Sequence, residues 1–393
     1  MRFVSAISDS ESTATAAADV VAVAKREFDA ADAVFVFLTT HHRNEAGDLL
    51  EHIQSELEPQ VLIGCSGEGV IGGTREIERA PGIALLAGWM PGVRVKSFHI
   101  ANDDWHDVLG DADAMRDRIG AGSRTRAVIT FGDPFTTPMN QLLPIMDRIA
   151  PHAPLVGGMA SSGRRPGENA LLLDGELYET GVVGVSLSDS LDVQTVVSQG
   201  ARPVGLPMVI TRAKDNIIQQ LGGKPPLLVL REMIQSLPEH EKEMLSHGLM
   251  IGRAISEYRE RFQRGDFLIR NIIGIDEKDG SIGVGDFVKV GQTVQFHVRD
   301  ADTADEDLSS MLSITQADLP PAAAALLFSC NGRGARLFNC PNHDIAVASE
   351  RMPKTPVAGF FAAGEIGPVG GRNFMHGHTA SFALLRPAPP AGT

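Results

Sequence analysis

The chain has little with which to staple itself, cross a membrane or grip nucleic acid. Its three cysteines, Cys65, Cys330 and Cys340, cannot build a disulfide framework and form no CxxC pair, which fits a reducing, cytoplasmic compartment. No apolar run is long enough to span a bilayer; the longest hydrophobic segments are strand-sized. The first residues lack the basic-then-apolar pattern of a secretory signal. Basic residues never cluster beyond pairs such as Lys25-Arg26 and Arg164-Arg165, and the net charge is −14. Binding to phosphate backbones needs clustered Lys and Arg, so a general nucleic-acid binder is excluded.

What is present is a globular composition, with 43% hydrophobic and 21% charged residues over 393 positions. That length is too great for one ordinary core and implies two or three domains. The 41 glycines and 23 prolines imply many tight turns rather than long helices. The acidic stretches 103–117 and 300–307 read as solvated faces.

Strand and helix signals alternate through the first third. Residues 3–7, 33–39, 61–65, 83–89, 93–100 and 126–131 read as strands. Between them fall helical stripes: Val20, Val21, Ala24 and Phe28 after a capping box at Ser8-x-x-Glu11, then Leu49, Leu50, Ile53 and Leu57. Met139, Leu142, Leu143, Met146 and Ile149 form a third stripe, with Thr137 as cap and Pro138 in the first position. This order predicts an α/β fold with mixed sheets. Strands predominate from 169 to 212. Helices follow at 226–236 and 239–245, strands at 249–253, 267–275, 287–290 and 294–298, and a second capping box at Thr303-x-x-Glu306. Further strands are expected at 324–330 and 357–361, and a frayed Pro/Ala/Gly tail at 387–393.

An internal echo runs through the chain. VLIGCSGEGVIGG (61–73) and VAGFFAAGEIGPVGG (357–371) share an apolar strand, a small-residue turn with Gly-Glu and a second Gly-Gly. PLVGGMASS (154–162) is a third relative without the acid. Duplication would set equivalent turns across a pseudo-symmetric cleft.

Several constellations could carry chemistry. The turn 64–69 would let a ligand approach backbone N–H groups, with Glu68 to anchor an amine; the alternative is a tight turn with Glu68 in solvent. Around Ser66 the G-x-S-x-G pattern fails at Glu68, and Gly64, Gly67 and Gly69 do not form a dinucleotide fingerprint. At Ser329-Cys330-Asn331-Gly332-Arg333, arginine offers a forked donor for a carboxylate or phosphate. Cys330 is either an inert core thiol or one activated by Arg333. Neither His376-Gly377-His378 nor Cys340-x-x-His343 has the ligand set of a metal centre, and no cofactor is expected. A dyad of Cys330 with His376 or His378 stays open. Gln199 and Arg202 stand at a strand–turn border suited to orienting groups, or to a hinge.

Together these stretches resemble the FIST (F-box and intracellular signal transduction) family. The matching segments are IGCSGEG with Glu76-x-Glu78 downstream, PLVGGMAS, SQGARPVG, VITRAKDNIIQQLGGKPPLLVL, HVRDADTADEDL, LLFSCNGRG and GFFAAGEIGPVGG. They follow the family's order from residue 33 to 385. The resemblance implies an N-terminal unit over 1–213 and a C-terminal unit over 214–386, two packed α/β units of mixed sheets flanked by helices, a pseudo-duplicated layered sandwich. It also implies a sensory module that binds a small ligand such as an amino acid. With the first strand beginning at Phe3, no room is expected for an F-box, kinase or cyclase, so output is expected through a partner protein or a homo-oligomer. The motif positions carried over are Cys65, Ser66, Glu68, Gln199, Arg202, Arg299, Asp300, Cys330, Asn331, Arg333 and Glu365, where arginine would meet a ligand carboxylate and glutamate its amine. Where the family often has cysteine in SQG-x-RP this chain has Ala201, which weakens thiol chemistry there. A Cys330- or Ser66-dependent hydrolase or transferase and a ligand-free interaction scaffold are the alternatives.

Overall fold

Strand 33–39, Ala-Val-Phe-Val-Phe-Leu-Thr, is buried at every position, a pattern that demands cover on both faces. Ala33, Phe35 and Phe37 enter one hydrophobic cluster and Val34, Val36 and Leu38 another. The computed structural model, which describes residues 1–245, 248–258, 262, 265–316 and 319–388, supplies that cover three times over.

The chain runs through a repeated path. The first pass is β1 (Arg2–Ser8), α1 (Thr13–Lys25), β2 (Ala33–Thr39), α2 (Ala46–Leu57), β3 (Val61–Gly67), the hairpin β4 (Gly69–Gly72) and β5 (Arg75–Glu78), and β6 (Ile83–Trp89). The second is β7 (Val93–Ile100), α3 (Trp105–Leu109), α4 (Ala112–Ile119), β8 (Thr125–Gly132), α5 (Met139–Ile149), β9 (Leu155–Met159), the hairpin β10 (Leu171–Leu173) and β11 (Glu176–Tyr178), and β12 (Val182–Asp189). The third opens with β13 (Leu191–Gln199) and is interrupted by β14 (Ala201–Lys214), β15 (Ile217–Leu221), α6 (Pro226–Ser236), α7 (Glu239–Met244), β16 (Leu249–Ala254), β17 (Phe267–Ile275), β18 (Ile282–Val284) and β19 (Thr293–Arg299). It resumes with α8 (Ala301–Gln316), β20 (Ala324–Cys330), α9 (Ala335–Phe338), α10 (His343–Arg351), β21 (Val357–Ala362), the hairpin β22 (Glu365–Val369) and β23 (Arg372–His376), and β24 (Thr379–Pro387).

The three passes give three six-stranded sheets of one design, β1-β6-β2-β3-β10-β11, β7-β12-β8-β9-β22-β23 and β13-β24-β20-β21-β4-β5. Each holds one parallel pair, β2/β3, β8/β9 and β20/β21, joined across a helix as parallel strands require. Each hairpin leaves its own pass and completes another sheet. The inner faces share one core, where Phe37, Phe131, Phe328 and Phe360 pack with ring centroids 5.2–5.9 Å apart. Helices cover the outer faces. The echo of the sequence is therefore threefold. Gly64, Gly157 and Gly359 occupy one position in the three passes, and a Cβ there would lie 1.7, 1.8 and 1.7 Å from the carbonyl oxygens of Val36, Thr130 and Leu327.

The chain divides into two compact units: Met1–Val197 with Leu308–Met375 and Thr379–Thr393, and Ser198–Asp307 with His376–His378. The second is a closed barrel, β14-β15-β18-β17-β16-β19, filled by Val204, Ile210, Ile218, Ile251 and Phe296 and covered by α6 through Val229, Leu230 and Met233. Mixed sheets with flanking helices match the expected fold class; the barrel is an addition to it.

Some local expectations fail. Helix α1 is capped by Ser12, whose side chain accepts from Thr15 N, not by a box at Ser8 and Glu11. Thr137 donates its hydroxyl to Gly181 O instead of capping α5. Residues 287–290 are not a strand; β18 lies just before them. Helix α8 starts two residues before Thr303, whose hydroxyl turns back to Asp300. The expected frayed tail lies, from residue 389 on, outside the described residues. Among the described residues no helix is long and apolar enough to cross a membrane.

Candidate functional site

Strand β20 is apolar until Ser329 and Cys330, then the chain turns, with Arg333 N donating to Cys330 O at 2.7 Å. That turn drives Arg333 inward until its side chain has no exposure, as has Asp344 in the first turn of α10. The two form a fork-on-fork pair, Nε to Oδ2 and Nη2 to Oδ1, each 2.8 Å. Ser329 Oγ adds a bond to Asp344 Oδ2 at 2.7 Å. Burial works against the Asp344 charge, yet the guanidinium outweighs it and holds the carboxyl well below the usual range. Beside them Glu76, on the hairpin from the first pass, accepts from Ile345 N at 2.9 Å. Burial, with Asp344 close by, pushes Glu76 up to about 8.

Glu365 is the anomaly of this unit. The register pairs Glu365 with Gly158, Val70 with Phe360 and Leu171 with Cys65. Since Gly158, Phe360 and Cys65 are themselves equivalent, a fully buried glutamate stands where the other passes place Val70 and Leu171. Its Oε2 accepts from Thr379 N at 3.1 Å and Thr379 Oγ1 at 2.7 Å. Burial pushes its pKa to about 8, against the pull of Thr379, the Cys330 thiol and Arg333. Cys330 Sγ also accepts from Gly332 N at 3.4 Å. Arg333 Nη1, Asn331 Oδ1 and Glu365 Oε1 are buried with no conventional partner among the described residues.

The remaining candidates of this unit lie apart in character. Cys65 is fully buried and its thiol is pushed well up by desolvation; Ser66 is buried and accepts from Ala170 N and Ser162 Oγ at 2.8 and 2.6 Å. Both serve the core. Glu68 is partly exposed and paired with Arg336, its Oε1 also 4.0 Å from Arg79. With Asn331 it lines a surface recess of about 10 Å³, room for one water-sized molecule. Glu68 and Glu365, aligned by the echo, are not equivalent: Ile71 and Ile366 match, which sets Glu68 against Ala363.

In the barrel unit, Gln199 is buried and donates Nε2 to Phe267 O at 2.7 Å. It lines a cavity of about 190 Å³ with Ala201, Pro203, Leu206, Phe267, Gln295 and His297 among its walls. His297 bonds Gln295 O through Nδ1 at 3.0 Å; burial lowers its pKa to about 4, so it is neutral at pH 7. Arg202 alternates away from Ala201 and Pro203 and sits 3.8 Å from Glu241 and 3.9 Å from Asp300. Asp300 accepts from Thr303 beside the start of α8, and the Arg299 backbone N–H donates to Gly248 O at 3.3 Å.

Sequence reasoning missed Asp344 and His297, and noted Glu76 only as part of a matching segment. Asp344 sits in the CPNHD run (340–344), where only the Cys-x-x-His spacing drew attention; His297 lies within HVRDADTADEDL (297–308), read for its charges. Among the described residues no group of three or more His, Cys, Asp or Glu could hold a metal ion.

Comparison with known proteins agrees with the segments noted above. The FIST N domain family model matches residues 32–224 and the FIST C domain model residues 226–368, meeting inside the barrel unit. An uncharacterized protein of Mycobacterium tuberculosis (strain H37Rv) is 39% identical over 397 residues, covering 98% of this chain and 100% of its own. An uncharacterized protein of Mycobacterium bovis is 40% identical over 346 residues, 88% of each chain. FIST domains are generally sensory, signal-transduction domains. This chain belongs to the FIST family.

Proposed function

We propose that this protein senses an amino acid or a similarly sized polar metabolite, and that the ligand seats in the barrel cavity of Gln199, Gln295, His297 and Phe267. The cavity carries the reading. Its volume of about 190 Å³ compares with the roughly 150 Å³ that holds a benzene ring in an engineered core. Its walls combine apolar surface from Pro203, Leu206 and Phe267 with two carboxamides and an imidazole, the mixture that orients a small ligand. Gln199 spends Nε2 on Phe267 O and keeps its carbonyl oxygen as an acceptor. The burial of Cys65 and Ser66 favours binding over nucleophilic chemistry at those positions. Occupancy would be passed, in the cytoplasm, to a partner protein or a second copy.

A thermal-shift panel of amino acids and small carboxylates tests the reading. A true ligand at 100 times its Kd adds about 2.7 kcal/mol. Ala201→Met, which fills the cavity from a buried wall position, is expected to keep the fold and lose that shift. A panel that moves nothing, or a variant that responds as the parent does, sinks the proposal.

A further inference from the structure

The polar end of β20 is separate from the barrel cavity in both residues and chemistry. Three observations there converge on one sulfur atom. Gly332 N donates to Cys330 Sγ at 3.4 Å. The Cys330 thiol pulls on the titration of the Glu365 carboxyl against the push of burial, and Glu365 stands in a slot that is Val70 and Leu171 in the other passes. Arg333, fully buried, interacts electrostatically with both Cys330 and Glu365 and has one nitrogen, Nη1, without a partner among the described residues. A core slot that needs only an apolar side chain has instead received an acid set against a thiol. Cys330 is partly exposed, and the next residue, Asn331, lines a small, open surface recess, an approach suited to a small oxidant.

We propose that Cys330 is an oxidation site for hydrogen peroxide, with Glu365 as its proton partner and Arg333 with the Gly332 N–H stabilising the thiolate. The thiol releases its proton to solvent while Glu365 keeps its own. The thiolate attacks one peroxide oxygen, the O–O bond breaks and an S–OH bond forms. The departing hydroxide takes the proton from Glu365 and leaves as water. Sulfur is oxidised to a sulfenic acid and the peroxide is reduced. The thiolate is the reacting species, and the neighbouring guanidinium and N–H donor are what raise its share. Glu365 carries its proton up to about pH 8, so it can return one to the leaving hydroxide at neutral pH.

The test is peroxide treatment of the full chain, trapping of sulfenic acid with a 1,3-dione reagent, and quantification by peptide mass spectrometry. The exposed Cys340 is the internal reference. Cys330 is expected to label at least about tenfold faster than Cys340, and Glu365→Gln, with unchanged circular dichroism, to slow it by about tenfold or more. Should that variant misfold, the pH profile of the Cys330-to-Cys340 rate ratio in the parent serves, since loss of the Glu365 proton above about pH 8 lowers the ratio. Labelling of Cys330 at or below the Cys340 rate overturns the proposal, as does a folded Glu365→Gln that labels like the parent, or a flat ratio. None of these outcomes bears on ligand binding in the barrel.

Discussion

Glu365→Gln should convert a pH-sensitive protein into a less sensitive one. In the folded chain this carboxyl titrates at about 8 against an ordinary value of 4.5. The folded state therefore holds a proton that the unfolded chain has released, and stability falls as pH rises through that window. At 1.36 kcal/mol per pH unit, the full fall is about 5 kcal/mol, complete above pH 8 and absent below about 4.5. Glutamine keeps the shape and a hydrogen-bonding oxygen for Thr379 without ever ionising. Urea midpoints of parent and variant, measured at about pH 4.5 and about pH 8.5, isolate this side chain because other titrating groups cancel in the difference. The two proteins should nearly coincide at the lower pH, and the variant should lead by several kcal/mol at the higher one. Parallel pH curves would refute the reasoning, and with it the buried, protonated state of Glu365.

Other outcomes follow from the same geometry. Gly359→Ala places a Cβ 1.7 Å from Leu327 O and should prevent stable folding, whereas Gly47→Ala in α2, with nothing within 4 Å, should gain about 0.5–1 kcal/mol in the same thermal melts. Arg333→Met should cost about 3–5 kcal/mol by stranding Asp344, and Arg333→Met with Asp344→Leu should cost less than the single change. Ser198 Oγ and Gln199 N both bond Asp307 Oδ2, at 2.8 and 2.9 Å, so the two ends of the inserted barrel segment meet. Replacing residues 199–306 by a short Gly-Ser linker should leave a chain with one cooperative melt and a native near-ultraviolet spectrum.

The sheets of the first unit were legible because their strands are unbroken apolar runs, as in β2 and β20, and because the helices between them carry clean stripes, as in α5. Caps were not, since Ser8, Ser10 and Ser12 all offer hydroxyls and only the turn geometry selects Ser12. The barrel was hidden by its own shape. Strand β14 carries Gly205 at φ +66° and a register shift between Val204 and Met208, so SQGARPVG (198–205) reads as a turn although most of it is strand. At the candidate site, Arg333 was visible as a forked donor, but its partner Asp344 is supplied by α10, the second helix on, which no local pattern announces. The Gly-Glu echo misled about Glu365 because the Gly-Glu pair stands two positions later in the third pass than in the first, although the turns are equally long. That offset keeps the alternation of faces while moving the acid from a surface pair to the core.

Threefold repetition also supplies an internal comparison for what the fold itself requires. Thr39 and Cys330 end the second strand of their passes and Asp133 directly follows it in the other, and Val70, Leu171 and Glu365 face the third. Two passes fill the second slot with an aliphatic side chain, so an acid is not needed to hold a sheet together. Glu365→Leu makes the third pass like the second and predicts a change of sign with pH. Leucine strands the Thr379 N–H and hydroxyl, each bonded to Glu365 Oε2, at about 1–3 kcal/mol per group. Near pH 4.5, where the parent carboxyl is protonated at little cost, that loss stands alone and the variant is the weaker protein. Near pH 8.5 the variant escapes the penalty of about 5 kcal/mol that the parent carries there and becomes comparable or stronger. Crossing urea midpoints would mean that the acid is retained at the expense of stability, as a group with a task at Cys330. An equal loss at both pH values would make Glu365 a structural residue bound to Thr379 and nothing more.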